Sequence, residues 1–153
     1  MFGDSCLAPA TGKTNWLLWG DSLAAHYFHG LRMGTDPQAV NIQQATQAAC
    51  MPTLNAAAQG NASCRGFAAQ MEAFFRDRKP DLVIMSADWL EYARPPRFDG
   101  MIADLRQTIS KLNELGTAVV LLGPAVQFRA RLPWPRRCLR APQEDERGGG
   151  SER

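Results

Sequence analysis

Leu17-Leu18-Trp19-Gly20-Asp21-Ser22 is the stretch whose reading decides the fold. Its unbroken apolar run, entered through Asn15 and Trp16, predicts a short strand over Asn15–Trp19 with both faces buried. Gly20 permits a tight turn, and Asp21 can bond local amides and fix it. Ser22 opens a segment that suits a helix over Ser22–Arg32, with Gly34 as its stop signal. A serine at a strand-to-helix turn gains a backbone N–H that no helical acceptor uses, and it feels the positive end of the helix dipole. A hydroxyl is a poor nucleophile unless a base takes its proton and donors hold the oxyanion, so this placement supplies part of what a nucleophile needs. The plainer reading is that Ser22 only caps the helix. The tripeptide alone does not decide, because Gly3-Asp4-Ser5 repeats it with no strand before it.

Working outward, Ala39–Gln44 reads as a second strand, and residues 46–63 as a loop that holds Pro52. Arg65–Arg78 is amphipathic, with Phe67, Met71, Phe74 and Phe75 on one face, and Pro80 ends it. Leu82–Met85 is a third strand. Asp99 is placed to cap a helix running to Leu115, with Ile102, Leu105, Ile109 and Leu112 aligned, and Gly116 stops it. Ala118–Leu122 is a fourth strand. Short apolar strands alternating with amphipathic helices predict an α/β domain, a three-layer αβα sandwich around a central parallel sheet. Sites in such sheets lie at the carboxyl ends of the strands, where Gly20-Asp21-Ser22 falls. The predicted organisation is a polar lead-in over 1–14, the domain over 15–128, and an Arg/Pro/Gly-rich tail over 129–153. The tail lacks periodicity and reads as disordered. A sheet that stops after four strands suggests a fold incomplete at its C-terminus, and the abrupt change after residue 128 suggests a frameshift or truncated reading frame.

The chain has 153 residues, 45% hydrophobic and 21% charged, the composition of a soluble globular protein. The tail carries seven of the 17 Lys+Arg and four of the 15 Asp+Glu, which leaves the rest at −1. That balance offers no basic face for nucleic acid. No apolar run approaches the roughly 20 residues that span a bilayer, and the N-terminus has no signal-peptide pattern. Taken alone the chain would be cytoplasmic; export would require a longer protein. Thr11-Gly12-Lys13-Thr14 resembles the end of a P-loop, but Leu7 stands where the first glycine belongs, and the segment precedes its strand. Cys6, Cys50, Cys64 and Cys138 lack zinc-ligand spacing, so no metal and no cofactor is expected. Cys50 and Cys64 close a loop rich in Ala, Asn and Gly that a disulfide would help hold; the alternative is two reduced thiols.

Leu17-Leu-Trp-Gly-Asp-Ser-Leu-Ala-Ala-His26 resembles the first block, L-L-W-G-D-S-H-A-A-H, of the SGNH domain fused to acyltransferase-3 membrane proteins. Asn41-Ile-Gln-Gln-Ala-Thr-Gln-Ala-Ala-Cys50-Met-Pro52 resembles the second block, with its Gly-Cys-Pro-Pro, and Cys64-Arg-Gly-Phe the partner cysteine. Leu82-Val-Ile-Met-Ser-Ala-Asp-Trp89-Leu-Glu-Tyr92 resembles the third, where a tryptophan segment replaces G-x-N-D, and Val119-Val-Leu-Leu-Gly-Pro124 resembles the next strand. The four blocks fall in order over roughly residues 5–128.

The resemblance implies an SGNH/flavodoxin-like fold and O-acylation of cell-envelope glycans such as peptidoglycan or lipopolysaccharide. It implies Ser22 as the nucleophile that passes an acyl group from a donor to a glycan acceptor, and a Cys50–Cys64 disulfide. It further implies a membrane acyltransferase domain upstream and a place at the periplasmic face of the inner membrane. Asp21 and Ala49 are the candidates for site support and the oxyanion hole. Asp88, Trp89 and Tyr92 are the candidates for substrate contact, with covering of the sheet edge as the plainer role for the two aromatics.

Three departures stand out. Leu23 replaces the histidine after the serine, Ala49 replaces a glycine of the wider superfamily's oxyanion hole, and the late D-x-x-H block is missing. The two histidines are His26 and His29. His26 shares a helix face with Ser22 but has no evident partner to orient it. Loss of the base histidine of a serine triad costs on the order of a millionfold in rate. The chain is therefore expected to be nearly inert alone. The competing reading is a non-catalytic remnant that binds glycan or docks on a membrane partner.

Overall fold

A computed structural model of the chain describes residues 7–124. Four strands, β1 (Thr14–Gly20), β2 (Val40–Thr46), β3 (Leu82–Ser86) and β4 (Ala118–Leu121), form a parallel sheet in the order β2-β1-β3-β4. Four helices accompany them: α1 (Ser22–Gly34), α2 (Ala62–Asp77), a single turn α3 (Trp89–Tyr92) and α4 (Phe98–Glu114). The α/β architecture is the expected one.

The order explains which helix covers which face. The step from β1 to β2 runs one way across the sheet, and the steps to β3 and β4 run the other way. Right-handed crossovers then put α1 on one face and α2 and α4 on the opposite face. The side chains follow. Leu17, Trp19, Val83 and Met85 pack with Phe67, Met71, Phe75, Leu105 and Leu112 on the α2/α4 side. Leu18 and Ile84, the alternate residues, pack with Ala24, Tyr27, Phe28 and Leu31 of α1. Strands buried on both faces need the continuous apolar run that marks them in the sequence.

Three local details differ from expectation. α2 begins at Ala62 because Asn61 caps it, its side chain accepting from the Cys64 N–H at 2.8 Å. Asp99 does not cap α4: the helix starts at Phe98, Arg97 holds the cap position with no side-chain bond, and Asp99 lies inside the first turn. There its charge still suits the positive helix end. The third difference is α3, which periodicity cannot register at four residues. The lead-in is tied down from Leu7 onward, where the Leu7 carbonyl accepts from Gln43 at 2.7 Å and from Arg78 at 3.1 Å. The predicted tail over 129–153 lies outside the described residues.

Candidate functional site

The end of β1 is held by close packing. Gly20 lies between Thr46 of β2 and Ser86 of β3. A Cβ at Gly20 would stand 1.8 Å from the Ser86 carbonyl oxygen and 2.6 Å from the Ala24 Cβ. Glycine is thus required by the approach of β3 and α1, not by an unusual turn conformation: its φ is not among the positive ones.

Asp21 follows, with only 2% of its surface exposed. One carboxylate oxygen accepts from the Leu23 N–H at 2.8 Å and the Ala24 N–H at 3.4 Å, capping α1. The other accepts from the Asp88 N–H at 2.8 Å and the Tyr92 hydroxyl at 3.1 Å. Among the described residues no cation pairs with Asp21; a buried charge is costly, and these four donors with the dipole of α1 offset that cost. Asp21 therefore joins the turn after β1 to the segment after β3. Ser22, the next residue, is exposed. As the first residue of α1, its N–H has no acceptor within the helix.

The turn after β2 approaches from the other side, the Gln47 N–H donating to the Gly20 carbonyl at 2.9 Å. Gln47 also bonds Ser63 through its side-chain amide. Ala49, exposed two residues on, has φ 58, the left-handed conformation that glycine adopts without penalty. Alanine accepts this at a cost of about 1–2 kcal/mol. The next residue anchors the turn through a Cys50–Cys64 disulfide, with Cα atoms 5.2 Å apart and both cysteines buried. Among the described residues the Ala49 N–H has no hydrogen-bond partner.

The segment after β3 differs from residue to residue. Asp88 is half-buried and caps α3, its carboxylate accepting from the Glu91 N–H at 3.3 Å. Trp89 is 7% exposed and packs in the core, and its indole N–H donates to the Leu122 carbonyl at 2.6 Å. Tyr92 is half-buried, with its hydroxyl on Asp21. His26 and His29 are both exposed on α1.

Burial, and after it the charge of Asp21, pushes the Tyr92 phenol well above its ordinary value of 10.0. Folding therefore favours the protonated phenol. That contribution is fully present below about pH 10 and is lost as the pH rises toward the folded-state value. Urea melts at about pH 9 and about pH 11 check this: the loss of stability between them is expected to be smaller in Tyr92→Phe than in the unaltered chain.

Sequence reasoning placed Ser22, Asp21 and Ala49 on turns that the structure brings to one end of the sheet. It missed the bond from Tyr92 to Asp21, which joins residues 71 apart. It also missed the contact of Gly20 with Ser86. No local pattern signals either one. The Asp-x-x-x-Tyr spacing over 88–92 could only have suggested a helical turn.

The chain matches the sequence model of the family described as "SGNH domain (fused to AT3 domains)" over residues 2–152. No curated protein matches it. It is similar in fold to a solved structure described as the periplasmic domain of a lipopolysaccharide acetyltransferase from Salmonella ser. Paratyphi A, with a TM-score of 0.56 and 22% identity. The similarity covers 75% of this chain and 46% of that one, so the chain spans less than half the length of that domain. Among the described residues no helix is long and apolar enough to cross a membrane. The family match runs along nearly the whole chain and through the turn that carries Ser22, and the chain belongs to the family of SGNH domains found fused to AT3 domains.

Proposed function

We propose that this domain carries the nucleophile of an O-acyltransferase or esterase of SGNH type that acts on cell-envelope glycans. In this reading the Ser22 Oγ loses its proton to a base and bonds the acyl carbon as the donor's leaving group departs. A sugar hydroxyl then attacks the ester, takes the acyl group and returns the proton to serine. The N–H groups of Ser22 and Ala49 are assigned to the oxyanion. The face formed by Asp88 and the ring of Tyr92 is assigned to substrate contact, and the buried Trp89 is assigned to holding that face in place. The observation that carries the reading is the buried Asp21, which fixes a strand-to-helix turn with four donors and leaves the adjacent serine exposed.

A membrane acyltransferase domain fused to such domains is the natural source of the acyl group, and the periplasmic face the natural place, where the Cys50–Cys64 bridge would persist. No histidine follows His29, and both histidines are exposed. The same observation favours, as a second reading, a glycan-binding or docking remnant without catalysis. The catalytic reading needs its base from elsewhere, with turnover by the isolated chain slower by on the order of a millionfold. Incubation with an activated aryl acetate followed by peptide mass mapping separates the two. The proposal expects an acetyl ester on Ser22 ahead of the other serines, with no ester on the matching peptide of Ser22→Ala; a Ser22 left unmodified while surface lysines are acetylated would refute it.

A further inference from the structure

We propose that Tyr92 is a positioning residue for Ser22 and acts through Asp21. The inference deepens the reading of Ser22 as nucleophile, and its evidence is geometric. Asp21 uses its two oxygens for different elements: Oδ1 orders the first turn of α1, and Oδ2 takes the Asp88 N–H and the Tyr92 hydroxyl. Ser22 lies between Asp21 and Leu23, so the rotation of this one carboxylate sets the path of the backbone on either side of the nucleophile.

A capping aspartate with one oxygen free can swing about its side-chain bonds. Here the second oxygen is held, and its holder is itself anchored. The Trp89 indole bonds the Leu122 carbonyl beyond β4, and the Asp88 carboxylate caps the same turn. The Ala93 N–H closes it on the Trp89 carbonyl at 2.9 Å. The Tyr92 hydroxyl is the side-chain donor in this arrangement, and the Asp88 N–H the backbone one.

The charged groups that bear on the phenol are Asp21, Asp88 and Glu91, all acidic, with Arg94 paired to Glu91. They keep the hydroxyl protonated, which is the state a donor needs. The ring's burial against the core keeps the donor in place. The side chain thus has two separable parts, a ring face turned toward substrate in the proposed reading and a hydroxyl committed to Asp21.

Tyr92→Phe removes only the hydroxyl. Two readouts are taken on the full chain: amide hydrogen exchange at Leu23 and Ala24, and the rate at which a fluorophosphonate labels Ser22. Loss of one bond to a charged acceptor is expected to speed exchange at these two amides about tenfold and to slow labelling about tenfold. Amides in β1 and β3 should keep wild-type exchange, which a general loss of stability would not permit. Leu90→Ala, on an exposed residue of the same turn, should change neither readout.

Wild-type exchange and labelling in Tyr92→Phe would overturn the inference. If the unaltered chain is not labelled at all, the nucleophile reading fails, while the exchange data still decide whether Tyr92 positions the turn. A third measurement needs no loss of the hydroxyl. The chain has two tyrosines, so Tyr27→Phe leaves the Tyr92 phenol as the sole one to follow by absorbance. Its titration should lie above the ordinary tyrosine range and fall back when Asp21→Asn is added. A titration that ignores Asp21→Asn would also overturn the inference.

Discussion

Gly20→Ala is expected to destabilise the domain by about 3 kcal/mol or more, enough to lower its melting temperature by about 10 °C or to prevent folding. The new methyl carbon would meet the Ser86 carbonyl oxygen at 1.8 Å and the Ala24 side chain at 2.6 Å. The first of these is backbone in the central strand β3, paired to β1 on one side and β4 on the other, so it cannot move aside without breaking ladder bonds. Relief would have to come from parting β1 and β3 at the end that carries Asp21 and Ser22. Gly30→Ala is the matched control. Gly30 is exposed within α1, with nothing within 4 Å of its would-be Cβ. That substitution should raise stability by up to about 1 kcal/mol through helix propensity. Thermal melts of the two variants give the comparison, and equal melting temperatures would refute the packing account of Gly20.

Removing the disulfide ranks next. Cys50 and Cys64 close a loop of 14 residues' separation, for which restriction of the unfolded chain contributes about 3 kcal/mol. The loop has other ties as well, among them the Asn55 side-chain amide donating to Asp104 at 2.7 Å. Thr53 and Thr108 share a buried hydroxyl contact at 3.1 Å, the Leu54 N–H donates to the Thr108 hydroxyl, and Gln59 bonds the Met51 carbonyl at 2.9 Å. The Thr108 contacts and the bond from Asn55 to Asp104 fix the far part of the loop against α4, while the Ala49 turn is held by the bridge together with the Gln47–Ser63 bond. The paired substitution Cys50→Ser with Cys64→Ser should therefore lose about 3 kcal/mol in urea melts and free the Ala49 backbone from its left-handed conformation. A loss below about 1 kcal/mol would mean that the loop is held by its side-chain bonds instead.

These two positions show how far the sequence could be read. The apolar run before Gly20 announced a strand buried on both faces, and Asp21 was legible as a turn-fixing residue because its chemistry is local. Gly20 was legible as necessary but for the wrong reason: the carbonyl it accommodates belongs to Ser86, 66 residues on, and only the assembled sheet brings them together. Tyr92 was visible as a residue near the expected site edge. Its bond to Asp21 depends on the angle at which α3 leaves β3, which hydropathy does not encode. Trp89 shows the same limit from the other direction, since an aromatic at a sheet edge can face solvent or core, and here the Leu122 carbonyl draws its indole inward. Asp99 was misplaced because a capping residue one or two positions from a helix start looks the same in sequence whether it precedes the helix or lies inside it.

The central claim is that the turn fixed by Asp21 presents Ser22 as the reactive serine of this domain. The most direct measurement is covalent trapping of the folded, disulfide-intact chain with a fluorophosphonate, followed by peptide mapping of the adduct. The account predicts a single adduct on Ser22, formed slowly because the chain supplies no oriented histidine, and absent in Ser22→Ala. A folded chain that stays unlabelled, or one labelled at another serine with Ser22 intact, would contradict it.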